Sequence, residues 1–473
     1  MELFKTIIRK ETRMKKVLLF FALALILGLV ATQVVYAGSD QAVMDKLEQL
    51  KKSVQMQQEQ IGILYQQLEE QKALSAESRE TDLAEVKKVV IEQLGGADVL
   101  PEWVKRIKIS SDMRIRYHGY FDREGDKADR HDPRFRWRFY LEGKVTDEIT
   151  AYVATSTNWN EGSAYPPKTS DDKWWGAMGT SPFGVIRTYL DYRPKDLPGS
   201  FFGAGKYAKN FLHTLMTWDP DTNPAGVYTK LALPLGSFTP WIYGTFIMWG
   251  EAKDVGDPTL GLVQAGVDIK ITPDVKWTVA GSYYGYGGMN APGVIRVGGV
   301  GKTLAQVSGS MGNTIDVATG TKYAYGYELW EGITILKAKV QKIPISLTFD
   351  WITNSAENVP SNQDTGIFAA LKFGENKKKG DFSVELAYYK IEPDAVWGRI
   401  NDSDLMHSNV KGYFVRAGYN LTDRLFLRVT PLRSEPVEKG PAGDYKVDTP
   451  IGKGTVKNEG KYTLVQVDLV YKF

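Results

Sequence analysis

Toward its C-terminus the chain reads YTLVQVDLVYKF, and alternate residues divide it into two unlike faces. Thr463, Val465, Val467, Leu469, Tyr471 and Phe473 form an almost wholly apolar face; Tyr462, Leu464, Gln466, Asp468, Val470 and Lys472 form a mostly polar one. Period-2 alternation of this kind predicts a strand with different surroundings on its two sides. From Ile107 onward no helical period persists, and the pattern recurs near residues 107–120, 132–145, 148–158, 183–193, 199–206, 224–234, 237–249, 260–272, 274–286, 321–341, 343–354, 365–374, 381–392, 409–421, 423–433 and 459–473. Sixteen is an even number, as a closed single-chain barrel requires.

The connections carry the argument further. VTDEI, RPKDLPG, PLGS, TPD, QKIP, GENKKKG and LTD are short turns, and they alternate with longer polar or Gly-rich loops at 121–131, 159–182, 207–223, 250–259, 287–320, 355–364, 393–408 and 434–458. Short turns on one rim and long loops on the other describe an outer-membrane barrel, and a soluble sandwich has no reason for the strict alternation. After the first 40 residues no uncharged apolar run reaches about 18 residues, which excludes a helical membrane protein. Tyr117, Phe121, Phe135, Trp137, Phe139, Tyr471 and Phe473 fall on the apolar faces or near strand ends, where amphipathic rings favour a membrane interface.

Before the strands lie other patterns. Lys15 and Lys16, an apolar run from Val17 to Val30, and Ala37 before Gly38 predict a signal peptide over 1–37, with Met14 a candidate true start. Val43, Leu47, Leu50, Val54, Ile61, Leu64 and Leu68, with Gln57 and Gln71 in phase, give a heptad seam, so 38–72 is expected to be a periplasmic coiled coil that brings copies of the chain together. Leu83, Val86, Val90 and Leu94 make 73–105 a helical linker, and 106–473 is the expected barrel.

Charge and cysteine then narrow the functions. The chain of 473 residues carries a formal charge of +3, but 1–37 holds six basic and two acidic residues, which leaves 53 basic against 54 acidic in the remainder. A basic pI is therefore no argument for nucleic acid. Cysteine is absent, so disulfides, a lipid-anchoring Cys, thiolate metal sites and c-type haem attachment are excluded. The four histidines, His118, His131, His213 and His407, lack metal-ligand spacing, and no cofactor is expected. GGVGKT at 298–303 has Arg296 where a phosphate loop needs its first glycine, and no GxSxG occurs; the chain is not expected to be an enzyme.

With the apolar faces toward lipid, Lys108, Ser110, Asp112, Arg114, Arg116 and His118 point inward, as do Arg134, Arg136, Arg138, Tyr140, Glu142 and Lys144. Arg416, Arg424 and Arg428 fall on the matching side near the other end, and closure makes these segments one sector. A basic wall of guanidinium groups attracts anions, unless Asp112, Glu142, Asp191, Glu385 and Asp468 offset it. In the third long loop, KYAKNFLHTLMTWDPDTNP, His213, Trp218, Asp219 and Asp221 either line a constriction or sit in an outer loop with Asp-Pro and Asn-Pro turns.

LPEWVKRIKISSDMRIRY, RFRWRFYLEGKV, AGKYAKNF, LMTWDPDTNPAGV and the closing VQVDLVYKF together resemble the Gram-negative putative porin family. The likeness runs from Leu100 to Phe473 and is densest before Val227. It implies an outer-membrane channel for passive diffusion of small hydrophilic or anionic solutes, a homotrimer, and a terminal Tyr471 and Phe473 read by the barrel assembly machinery. Phosphate-selective porins are close in type, yet no phosphate-binding arginine set matches position by position. Two other readings stay open: a structural or adhesive envelope barrel tethered by its coiled coil, and the barrel of an electron conduit with a cytochrome partner.

Overall fold

The computed structural model describes residues 102–124, 128–157, 172–173, 183–249, 257–289, 295–297, 300–302, 310–316, 322–438, 443–449, 452–458 and 460–473. The expected signal peptide and coiled coil lie outside these residues, and of the linker only its end is described, where Glu102–Lys105 forms one helical turn. Sixteen strands follow: β1 Ile107–Phe121, β2 Arg134–Lys144, β3 Ile149–Thr157, β4 Phe183–Tyr192, β5 Phe201–Lys206, β6 Ala225–Ala232, β7 Phe238–Met248, β8 Thr259–Thr272, β9 Val275–Gly287, β10 Glu328–Val340, β11 Ile343–Asn354, β12 Thr365–Gly374, β13 Phe382–Ile391, β14 Val410–Asn420, β15 Leu425–Pro436 and β16 Tyr462–Lys472.

Each strand pairs antiparallel with the next, and β16 returns to β1 in register from Asp112 opposite Lys472 to Phe121 opposite Thr463. The predicted barrel is therefore closed, and none of these sixteen strands is left as a free edge. In the two-residue link Gln341–Lys342 both residues hold positive φ. That mirror-image turn has the twist of the strands it joins. One expected strand begins late: 321–341 starts as a strand only at Glu328. The Asn354 amide explains it, accepting from the Glu328 N–H at 3.1 Å and donating to the Gly326 carbonyl at 3.0 Å, so the preceding chain turns inward.

Outward positions are apolar around the whole ring, among them Ile109, Met113 and Ile115 on β1, Phe238, Ile242 and Phe246 on β7, and Leu347, Phe349 and Trp351 on β11, all exposed. Soluble monomers rarely expose more than a few hundred Å² of contiguous apolar surface, so this band requires an apolar medium around it. Trp277 and Trp137 lie on the same outer face, their indole N–H groups given to Thr334 and Ser111.

The interior is not simply polar. Tyr228, Tyr243, Tyr284, Tyr389 and Tyr462 face in from the strands and pack with residues of the long loops. Inward rows thus mix aromatics with charges, which narrows the lumen before any loop enters.

Candidate channel constriction

The site begins at the closing sector. Asp468 on β16 lies opposite Arg116 of β1 on one side and Arg428 of β15 on the other. Arg116 donates from Nε and Nη2 at 2.6 and 3.1 Å, and Arg428 from Nε and Nη2 at 2.9 and 2.6 Å. Bidentate guanidinium–carboxylate pairing is the strongest form of such contact, and here one carboxylate serves two arginines.

Between β1 and β2 the rows are less comfortable. Arg114 stands directly opposite Arg136 and Arg116 opposite Arg134, whereas Asp112 faces Arg138. Like charges opposed across strands repel. Carboxylates within and beyond these rows relieve them: Asp132 meets Arg134 at 3.2 Å, Asp112 meets Arg136 at 3.6 Å, and Asp404 meets Arg116 at 3.4 Å.

The third long loop, 207–224, supplies the remaining counter-charge. Asp221 pairs with Arg138 and, at 3.4 Å, with Arg136. Burial would raise its carboxyl, but Arg138, Arg136 and Arg114 outweigh that and hold it well below the ordinary carboxylate range. The loop crosses the lumen. Its base closes through the Tyr207 N–H on the Pro224 carbonyl, and Leu212 is held by both ends of the Gln264 amide on β8, each at 2.9 Å. Further on, Thr214 donates to Asp350 of β11 at 2.5 Å, and a Cβ on Gly366 of β12 would stand 2.8 Å from Met216 Sδ. Glycine at 366 therefore makes room for the loop at the wall opposite its origin.

Of the four constriction candidates in this loop, Asp221 meets the basic wall. Trp218 is fully buried against Phe211 and Trp249, so it anchors the loop instead of lining a passage. Asp219 is also buried; it accepts the Asp221 N–H at 2.7 Å and gives its own N–H to Ile400, which fixes the turn at Pro220. His213 is half-buried and tilted against Phe211; burial and the Lys209 charge push it down to about 3, so it is neutral at ordinary pH.

The basic candidates divide as well. Arg114, Arg116, Arg134, Arg136, Arg138 and Arg428 share one sector, and Arg416 faces in from β14 with Glu385 at 3.2 Å. Arg424 does not belong with them. It sits exposed in the turn before β15, where its carbonyl accepts the Lys472 N–H, because β15 begins one residue later. Each arginine run is thus braced by acids, so the basic wall expected from sequence is largely neutralised in place.

Two groups were missed. Arg187 on β4 donates to Asn223 of the loop at 2.7 Å, and Lys209 donates to the Pro220 and Thr222 carbonyls at 2.6 and 3.3 Å. Burial, with Arg187 nearby, lowers Lys209 to about 8. Arg187 escaped the alternation because Ile186 is an extra residue in β4: Phe183 and Val185 face out before it, Leu190 after it, so the parity flips.

Tyr471 near the end of β16 and Phe473 just past it are exposed and tilted against one another, and Phe473 exchanges two backbone hydrogen bonds with Ser111, at 2.8 and 3.1 Å.

A family model described as putative porin matches residues 334–451, so the likeness drawn from the sequence holds, on a stretch outside its densest part. No curated protein matches. Among solved structures the chain is similar to the high-pH structure of Pseudomonas putida OprB, at 9% identity over 78% of this chain and 95% of that one, with a TM-score of 0.48. It is also similar to Salmonella typhi OmpF in complex with daunomycin, at 8% identity over 78% and 97% with a TM-score of 0.45. A third, an anion-selective porin from Comamonas acidovorans, matches at 11% identity over 78% and 99% with a TM-score of 0.44.

Proposed function

We propose that this chain, similar to the putative porins over residues 334–451, forms an outer-membrane channel through which small hydrophilic solutes diffuse passively, with a mild preference for anions. The observation that carries the reading is a closed barrel, apolar outside and charged inside, whose third long loop crosses the lumen and narrows it. Such a wall admits solutes by size and charge and performs no chemistry on them, so no catalytic role is proposed. In this reading the short-turn rim faces the periplasm, 1–37 directs export, and 38–72 assembles a homotrimer.

Anion preference follows from balance. In the closing sector Arg114, Arg116, Arg134, Arg136, Arg138 and Arg428 outnumber Asp112, Asp132, Asp221, Asp404 and Asp468, and Arg187 and Lys209 add positive charge beside the loop. The excess is small, so the preference is expected to be modest.

One observation favours a second reading. Trp218, Trp249 and Trp397 pack in series between loop 207–224 and loop 392–409, as a plugged structural barrel would need. The same packing occupies the space a cytochrome partner would require and counts against an electron conduit. Insertion of the purified protein into a planar bilayer separates the readings: a diffusion channel gives stepwise ohmic current in KCl, and a plugged barrel gives none.

A further inference from the structure

On the short-turn side of loop 207–224, across the lumen from the arginine sector, lies a second basic group. Lys230 on β6, Lys276 on β9 and Lys337 on β10 line a cavity of about 340 Å³, a volume at the lower end of ligand pockets. Asp268 is the one acid among its lining residues, and it is engaged: Thr278 donates to it at 2.5 Å and Lys276 lies 3.3 Å away. The cavity therefore keeps a positive excess, three lysines against one carboxylate.

Apolar side chains line it as well, beside the polar Asn210, Gln264 and Thr278. Phe211 and Leu212 descend from the loop and Ile335 rises from β10. Trp241 lies against β8, where a Cβ on Gly266 would stand 2.5 Å from its ring. Its face holds the Lys230 ammonium 4.5 Å from the ring centre, which fixes that charge without neutralising it. Trp241 is 7% exposed, yet its indole N–H has no hydrogen-bond partner among the described residues, and neither has the side-chain oxygen of Asn210. Buried polar atoms of this kind are ordinarily satisfied.

We propose that this cavity is a solute subsite for a small organic monocarboxylate with a compact apolar body. The carboxylate is taken between Lys230 and Lys337, and the apolar body rests on Phe211, Leu212 and Ile335. Chloride has no apolar part to bury and acetate almost none, so both bind more weakly; a neutral alcohol of the same shape lacks the charge. The inference rests on the channel reading, because it makes this cavity a station on the path.

Calorimetric titration of the detergent-solubilised full chain with sodium benzoate, sodium acetate and benzyl alcohol tests it without requiring a conducting pore. Saturable benzoate binding, at least tenfold tighter than either comparison, is the expected result, together with a loss of several-fold or more in K230Q/K337Q and in Ile335→Ser. Equal affinity for benzoate and acetate, no saturable binding, or unchanged binding in both variants would overturn the subsite. KCl conductance in a bilayer is read separately: current without benzoate binding leaves the channel and removes the subsite, while binding without current does the reverse.

Discussion

Arg116 and Asp468 are 352 positions apart in sequence and are joined by two hydrogen bonds, 2.6 and 3.1 Å long, with both side chains almost wholly shielded. Chain closure and the charge of the lumen meet in that one pair. Removing one partner of a shielded ion pair leaves the other charge uncompensated and typically costs about 3 kcal/mol or more. Asp468→Asn takes the shared carboxylate from Arg428 as well as from Arg116, which also meets Asp404 at 3.4 Å. The variant is expected to unfold at lower guanidinium concentration in detergent, by about 3 kcal/mol, and to fold in lower yield. An unchanged midpoint would mean that the pair is not what secures the seam.

Asp221 restrains Arg136 and Arg138 from the loop. Asp221→Asn leaves both guanidinium groups charged and facing the passage, so the reversal potential in a KCl gradient is expected to move toward anions. Arg138→Gln moves it the other way. If the two variants shift together, the loop does not set the charge of the constriction.

Lys209 is expected to give the channel a pH dependence. Its ammonium is lowered from 10.5 to about 8 by burial and by Arg187, against the opposing pull of Asp221 and Asp219. Between those two values the unfolded chain holds more protons than the folded one, so this group adds stability as pH rises through the window. Its effect on permeation has the opposite sense: a positive charge beside the loop is lost above about pH 8. Anion preference is expected to fall between pH 7 and pH 9 in the unmodified protein and to stay flat in Lys209→Met.

The last residue contributes to the seam through its backbone. Phe473 and Ser111 exchange two hydrogen bonds, each worth about 1 kcal/mol, and the ring extends the outer apolar face. A chain ending at Lys472 is expected to lose about 2 kcal/mol of stability in detergent and to reach the membrane in reduced amount, measured by heat-modified mobility of membrane fractions. Normal assembly of the truncated chain would assign the terminal ring no role.

The wall was legible because one face of nearly every strand must be apolar: Phe135, Trp137 and Phe139 against Arg134, Arg136 and Arg138 admit one orientation in lipid. The lumen was less legible because two faces can both carry rings. Trp241 and Tyr243 face inward although their chemistry would suit the outer belt, and alternation alone does not say so. The bulge at Ile186 hid Arg187 by reversing the parity within one strand. What Asp221 and Thr214 touch was beyond reach for another reason: their partners, Arg138 and Asp350, lie on distant strands, and only the folded path of loop 207–224 brings them together. Arg424 was misplaced by a single residue, which is enough to move a side chain from wall to turn.

Conductance across a planar bilayer tests the central claim most directly. Purified full-length protein, added to one side of a bilayer in a KCl gradient, is expected to give stepwise ohmic current whose reversal potential leans toward chloride. A protein that inserts and carries no current, or one whose current prefers potassium, would contradict the account.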